Sequence, residues 1–376
     1  MKRQDKTRGS GTIRFFLAGD VMLGRGIDQI LPHPGDPTLH EGYVHTATGY
    51  VDLAEQRNGP IPRAVPFGYV WGDLSADLDA RGCDLRLINL ETAITTSDAA
   101  EPKGINYRMH PANAPTLSAA RIDAVTLANN HTLDWGAAGL VETLEVLSRH
   151  NITAVGAGRT QQDANALKMV KLRNGRILLL AYGARGSGVP AHWRAGLAIA
   201  GINLLPDTAD DMIAEIRRQL PSVPEAGDLV LVSIHWGGNW GYEVLPDERD
   251  LAHRLIDEAG VDIVHGHSSH HPRAAEVHNG RLILYGAGDL INDYEGISGH
   301  EEYRSDLVMA YIVDVRAGSG ALIALELLPY RIRAFRLQRA SHQEVGWLHD
   351  MMARECAFFG GQVARTEAGT LQFLWS

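Results

Sequence analysis

Thr12-Ile13-Arg14-Phe15-Phe16-Leu17-Ala18-Gly19-Asp20 is the stretch whose reading decides the fold. Thr12–Leu17 reads as a short buried strand. After a small-residue step it stops at a carboxylate, and the same kind of ending recurs downstream. Asp84–Ile88 reads as a second strand running into Asn89-Leu90-Glu91, and Ala124–Leu127 as a third running into Ala128-Asn129-Asn130-His131. Ile177–Ala181 is a further strand. Leu229–Ile234, almost entirely Leu and β-branched, ends at His235-Trp236-Gly237. Asp262–Val264 ends at His265-Gly266-His267, and Leu282–Tyr285 ends at Gly286-Ala287-Gly288-Asp289. Helical patterns lie between them: Gly139–Arg149, with Leu140, Leu144 and Leu147 on one face, then Asp210–Leu220 and Asp247–Ala259. Apolar runs alternating with amphipathic helices predict an α/β protein.

Outward from that pattern, the chain is less regular. Leu31–Pro66 and Ala184–Pro206 lack clean periodicity and read as long loops or insertions. After Asp306, Leu307–Val315 and Ala321–Leu328 read as a hairpin around Gly318-Ser319-Gly320. Ile332–Leu337 reads as a strand, Gln343–Glu355 as a helix and Thr370–Trp375 as a last strand. The 376 residues, 45% of them hydrophobic, suffice for a large core in one big domain or two. A net charge of -10 argues against broad nucleic-acid binding, which needs a basic surface. It does not exclude an anionic substrate, because a local metal outweighs the global field. Cys83 and Cys356 make neither a disulfide framework nor a cysteine metal site. The start, Met1 to Phe16, is charged and holds no apolar stretch of signal-peptide length. No window approaches the ~20 apolar residues of a membrane span. A cytoplasmic chain without a membrane span is therefore expected.

In open α/β sheets, ligands gather at the carboxyl ends of strands, so residues remote in sequence can meet there. Asp20, Glu91, Asn130, His235 and His267 each sit within three residues of such an end. Carboxylate oxygen and neutral imidazole suit Mn, Zn or Fe, and such an ion lowers the pKa of a water it binds. Glu91 suits a bridging role, and His131 that of a general acid or oxyanion donor. Alone, Gly19-Asp20 reads equally well as a turn or an N-cap. His265–His271 is the strongest segment, with four imidazoles in seven residues. His33, His40, His45 and His110 are scattered in loops and read as ordinary. Trp236 and Trp240 read as wall or core residues.

These segments taken together, Leu17-Ala18-Gly19-Asp20-Val21-Met22-Leu23-Gly24-Arg25, Asn89-Leu90-Glu91, Ala128-Asn129-Asn130-His131 with Asp134 and Gly136, His235-Trp236-Gly237 and Gly266-His267, resemble the bacterial poly-γ-glutamate capsule-synthesis (CapA-like) family. The resemblance runs from about Ile13 to Asp293, and five motifs occur in the family's order. That family looks like a branch of the calcineurin-like metallophosphoesterases. The resemblance implies an α/β fold of two packed mixed β-sheets flanked by helices, a four-layer αββα sandwich. It implies a catalytic domain over residues 12–330, with insertions near 31–66 and 184–206, and a C-terminal extension over 331–376 packing on it. It also implies metal ligands at Asp20, Glu91, Asn130, His235, His267 and His270, with His131 and Asp134 catalytic. Arg25, Lys103, Asn129 and His271 then become candidates for binding substrate. Arg25, Lys103 and Arg108 lie near the motif ends, and Arg clamps carboxylate or phosphate bidentately.

Three departures stand out. The wider superfamily carries a metal-binding His two residues after the first Asp, where this chain has Met22. Its bridging Asp is replaced by Glu91. The common Gly-His-His-Pro-His reads Gly266-His267-Ser268-Ser269-His270, followed by His271. One ion or two, and His270 or His271 as ligand, stay open. The expected function is a metal-dependent hydrolase or amide-processing enzyme in poly-γ-glutamate or capsule biosynthesis. Its substrate would be a small or peptide-like anion, γ-glutamyl or phosphate-bearing. The alternatives are a phosphoesterase of small phosphoesters and a non-catalytic accessory subunit of a polymer synthesis or export complex. A homo-oligomer stays open.

Overall fold

A computed structural model describes residues 11–221 and 227–375. The charged start read over residues 1–10 lies outside the described residues.

The chain builds half of one sheet, then all of a second, then returns to finish the first. The opening half is β1 (Thr12–Val21), β2 (Leu85–Leu90), β3 (Ala124–Thr126) and β4 (Thr153–Val155), side by side and parallel. The second sheet comprises β5 (Lys168–Leu172), β6 (Gly175–Gly183), β7 (Asp228–His235), β8 (Ile263–His267), β9 (Ala275–His278) and β10 (Arg281–Leu284), in spatial order β9-β10-β8-β7-β6-β5. Its centre, β6-β7-β8-β10, is parallel, and both edges are antiparallel. The chain then crosses back through β11 (Asp289–Ile291), parallel to β1. β12 (Leu307–Arg316), β13 (Leu322–Arg333), β14 (Arg336–Arg339), β15 (Gln362–Arg365) and β16 (Leu371–Leu374) complete the first sheet by antiparallel pairing.

Period-two alternation along β1 explains the layering. Phe15 and Leu17 point into a core shared with Leu179, Leu231, Ile263 and Leu282 of the second sheet. Phe16 and Ala18 point outward, packing with Trp71, Leu74 and Leu140. These last belong to or flank helices α3 (Gly72–Arg81) and α4 (Gly136–Arg149), which follow α1 (Arg25–Ile30) and α2 (Ala47–Asn58) in the chain. Beyond the second sheet, Leu178, Leu180, Val230 and Val232 meet Met212 and Ile216 of α5 (Ala209–Gln219) and Leu251 and Leu255 of α6 (Pro246–Asp257). The result is helix, sheet, sheet, helix, as the resemblance implies. Each fully buried Phe or Leu in these layers contributes about 1.5–3 kcal/mol.

Two expectations change. The stretch 31–66 is not a continuous loop, because α2 lies inside it and buries Tyr50, Val51 and Ala54. Residues 184–206 do lack long elements, holding two 3-10 turns and the two-residue strand Gly201–Ile202. Ile332–Leu337 is not one strand: β13 ends at Arg333, Ala334 and Phe335 turn with φ of 55° and 54°, and β14 returns antiparallel. Residues 331–376 also hold α7 (His342–Ala357), whose Val345, Leu348 and Met352 join the inter-sheet core.

Candidate metal centre

The carboxyl ends of β1, β2, β7 and β8 converge, and β11 brings one more carboxylate. Close backbone contact makes this possible. A Cβ on Gly19 would sit 2.0 Å from the Gly288 carbonyl oxygen, so only glycine lets β1 approach the crossing chain here. The Asp20 amide donates to that same oxygen at 3.0 Å.

Two groups of ligand atoms share Asp20. In one, Asp20, His235 and His267 lie within 4.8 Å of one another; in the other, Asp20, Glu91 and Asp289 do. All five side chains are buried. His235 Nδ1 is 2.9 Å from His267 Nδ1, and His235 Nε2 is 3.1 Å from Asn130 Oδ1. Glu91 Oε1 lies 3.9 Å from both His235 Nε2 and His131 Nε2. Asp20 is held by Asn89, whose amide donates at 2.7 Å, and by the Ser268 backbone N–H at 3.2 Å. Ser268 adopts φ 106° to make that contact, a strained conformation for a residue with a Cβ.

His270 Nδ1 sits 3.1 Å from Asp289 Oδ1, which places it on the acidic side of the cluster. His271 does not line the cleft. It is buried, its Nε2 accepts from the Gly241 amide at 3.1 Å, and its ring stacks on Tyr303. Its expected role in substrate binding is corrected on that ground. Met22 is buried and belongs to neither group, yet the acidic group forms without a side chain from that position. Asp289 went unassigned in the sequence reading, although its Gly-Ala-Gly-Asp ending follows the strand-end rule that singled out the others.

Beside the cluster, His131 Nδ1 is 2.7 Å from Asp134 Oδ2. Asp134 also takes an ion pair from Lys103 Nζ at 2.7 Å and a hydrogen bond from the Tyr107 amide at 2.6 Å. The Tyr107 ring stacks on the imidazole, centroids 3.9 Å apart. Asn129 is fully buried and has no atom facing the cleft. Its amide donates to Asn89 and to the Leu90 carbonyl, and its oxygen accepts from the His131 amide and Thr132. It is scaffold for the loop, not a substrate contact. Arg25 borders the cleft, but its guanidinium is bound by Asp293 and Glu41 and lies 3.7 Å over the Tyr50 ring. Those two carboxylates satisfy it, which removes it as a clamp. The cleft has a volume of about 810 Å³ and is also lined by Lys103, Asn130, His131 and Trp240. Exposed Arg57, which the sequence reading passed over, lines it too.

The donor set fits a divalent cation. Burial, reinforced by Asp289, pushes the Asp20 carboxyl up to about 8. Burial, with Asp20 and Asp289 beside it, pushes Glu91 up as well. Burial holds His235 and His267 well below the usual imidazole range, so both are neutral donors. Buried carboxylates crowded against neutral imidazoles are costly without a counter-cation and matched to one with it.

A pH dependence follows for chelator-treated protein. Above pH ~7.5 unfolded histidines are nearly all neutral. Asp20, at about 8 folded against 3.8 unfolded, then leaves the folded chain holding one extra proton. Stability falls as pH rises wherever the folded state binds more protons. Asp20 alone removes about 1 kcal/mol between pH ~7.5 and ~9, and Glu91 shifts in the same direction. Chelated protein should melt lower at pH ~9 than at ~7.5, and a divalent ion should abolish the drop. A flat profile in chelator would count against this reading of the cluster.

Residues 14–294 match the family described as bacterial capsule synthesis protein PGA_cap. The chain belongs to that family. Relatives from two strains of Mycobacterium tuberculosis, each described as a probable polyglutamine synthesis accessory protein, are 46% identical over 354 residues, 93% of either chain. The PGA biosynthesis protein CapA of Bacillus subtilis is 26% identical over 293 residues, 77% of this chain and 65% of that one. A crystal structure of the calcineurin-like phosphoesterase YfkN from Bacillus subtilis covers 90% of this chain and 97% of its own at TM-score 0.43 and 11% identity, too weak a likeness to bear on function. The PGA_cap match closes just past Asp293, so both ligand groups lie within it, while β12–β16 and α7 lie outside. Among the described residues of this PGA_cap chain, no helix is long and apolar enough to cross a membrane.

Proposed function

We propose that this chain is a metal-dependent hydrolase acting on a γ-glutamyl, peptide-like anionic substrate in polyglutamate or capsule synthesis. The observation that carries the proposal is the pair of ligand groups sharing Asp20, set beside the His131–Asp134 pair, with Asn130, His131 and His270 opening onto one cleft. Asp20, His235 and His267 would hold one divalent ion, Mn, Zn or Fe, with Asn130 adjacent. Asp20, Glu91 and Asp289 would hold a second, with His270 adjacent. Bound there, such an ion would polarise a carbonyl or phosphoryl oxygen and acidify a water. The protein's own groups would do the rest. Asp134 fixes the His131 ring through Nδ1 and leaves Nε2 toward Glu91 and the cleft, where it can move a proton. Exposed Arg57 offers positive charge to substrate carboxylates, whereas Lys103 is held by Asp134 and the Asn130 carbonyl. The names of the relatives, which place them in polyglutamine and PGA synthesis, support the γ-glutamyl choice over a phosphoester.

The test is metal analysis of purified protein together with a substrate panel of γ-glutamyl amides, poly-γ-glutamate and phosphoesters, each with added Mn. Metal-dependent turnover of a γ-glutamyl amide is expected. Turnover of phosphoesters alone would move the assignment to a phosphoesterase. A second reading, a non-catalytic accessory subunit, is favoured by the word accessory in the mycobacterial relatives' names. Stoichiometric metal with no turnover of any substrate would support it.

A further inference from the structure

We propose that the protein carries a second, separate transition-metal site, suited to zinc, that pins helix α6 to the edge strand β9. Its ligands are His253 and Asp257 of α6 and Glu276 and His278 of β9. The spacing places them together. Residues four apart share a helix face, and residues two apart share a strand face. Ligand atoms of His253, Glu276 and His278 all lie within 4.8 Å of one another. His253 Nε2 is 3.0 Å from Glu276 Oε1, and His278 Nε2 is 2.8 Å from Asp257 Oδ2. The two imidazoles stack with centroids 3.8 Å apart and planes 10° apart.

The surroundings orient the carboxylates. Tyr285 OH donates to Glu276 Oε2 at 2.6 Å, and the Asn279 amide donates to Asp257 Oδ1 at 2.7 Å. Each bond occupies one carboxylate oxygen and leaves the other facing an imidazole, as outer-shell partners of metal ligands do. Two nitrogens and one oxygen already lie within 4.8 Å of one another, and with Asp257 beside His278 and a tilt of one stacked ring they make a four-ligand zinc set. The imidazoles are about a fifth exposed, 24% and 21%, so an ion can enter from solvent. Arg249 Nη2 competes for Glu276 at 3.3 Å, but its side chain is 46% exposed and can swing away. None of these residues belongs to the centre around Asp20, so the site stands or falls independently of the proposed hydrolase.

Zinc content after dialysis of the full-length protein against zinc tests the proposal. The double variant His253→Gln/His278→Gln should hold one equivalent less than the unaltered protein, with unchanged turnover. Equal zinc content would overturn the site. A second measurement uses the unaltered protein and needs no folded variant. Peptide mapping after diethyl pyrocarbonate treatment should show zinc protecting His253 and His278 from modification. Equal modification with and without zinc would overturn it as well.

Discussion

Asp20→Asn should strip the centre of its divalent metal while leaving the metal-free protein folded and no less stable. Asp20 is the one ligand common to both groups, so its loss weakens both at once. Removing an outer-shell partner already costs ~10–100-fold in metal affinity, and removing a charged ligand from the centre should cost at least ~100-fold. The effect on stability runs the other way. With its carboxyl pushed up to about 8 by burial and by Asp289, Asp20 is a liability near neutral pH unless a cation sits beside it. Asparagine keeps the size, keeps an oxygen to accept from Asn89, and removes the buried charge. It forfeits only the Ser268 amide contact. The signature is therefore crossed: metal content and turnover collapse, while melting in chelator at pH ~8 holds or rises. A variant that loses metal because it has unfolded would melt lower in chelator. One that keeps stoichiometric metal would remove Asp20 from the ligand set.

Much of this centre was legible because the strand-end rule needs only local sequence. Asp20, Glu91, Asn130, His235 and His267 stand where apolar runs stop, and parallel strands put those stops on one edge. What local sequence does not carry is which sheet a strand joins. Asp289 follows the last strand of the second sheet by a few residues but pairs with β1 of the first, and the crossing depends on a backbone contact at Gly19. The same limit hid the neutralisation of Arg25. Its partner Asp293 is 268 residues away, and nothing near Arg25 in sequence announces the pair. Helix α2 was missed for another reason: Ala47, Tyr50, Val51 and Ala54 keep the i, i+3, i+4, i+7 spacing of a buried helix face, but two alanines and a tyrosine make that face only weakly apolar. The β13–β14 turn places Ala334 and Phe335 in the left-handed region without Gly or Asn, so it lacks the usual turn residues.

His131→Ala should lower turnover by about 10²–10⁴-fold, the usual worth of a positioned general acid or base, while leaving the metal content intact. The imidazole lies 3.9 Å from Glu91 through Nε2, beside the ligands but in neither ligand group, so metal retention is the discriminating readout. Its state is defined. Burial, outweighing the opposing pull of Asp134, brings it down to about 4, so it is neutral at neutral pH in the metal-free protein. The short contact with Asp134 takes the Nδ1 proton and leaves a lone pair on Nε2. That tautomer depends on Asp134, which Lys103 and the Tyr107 amide hold in place. Asp134→Asn should therefore reproduce much of the His131→Ala loss without displacing metal, because an amide at that position no longer enforces Nδ1–H. A structural role for His131 predicts something different. Stacked on Tyr107 and nearly buried, it would on removal lower stability and leave the chemistry of the folded fraction unchanged. Turnover per folded, metal-loaded molecule separates the two, and if that ratio stays at the unaltered value the catalytic assignment falls and the accessory reading takes its place.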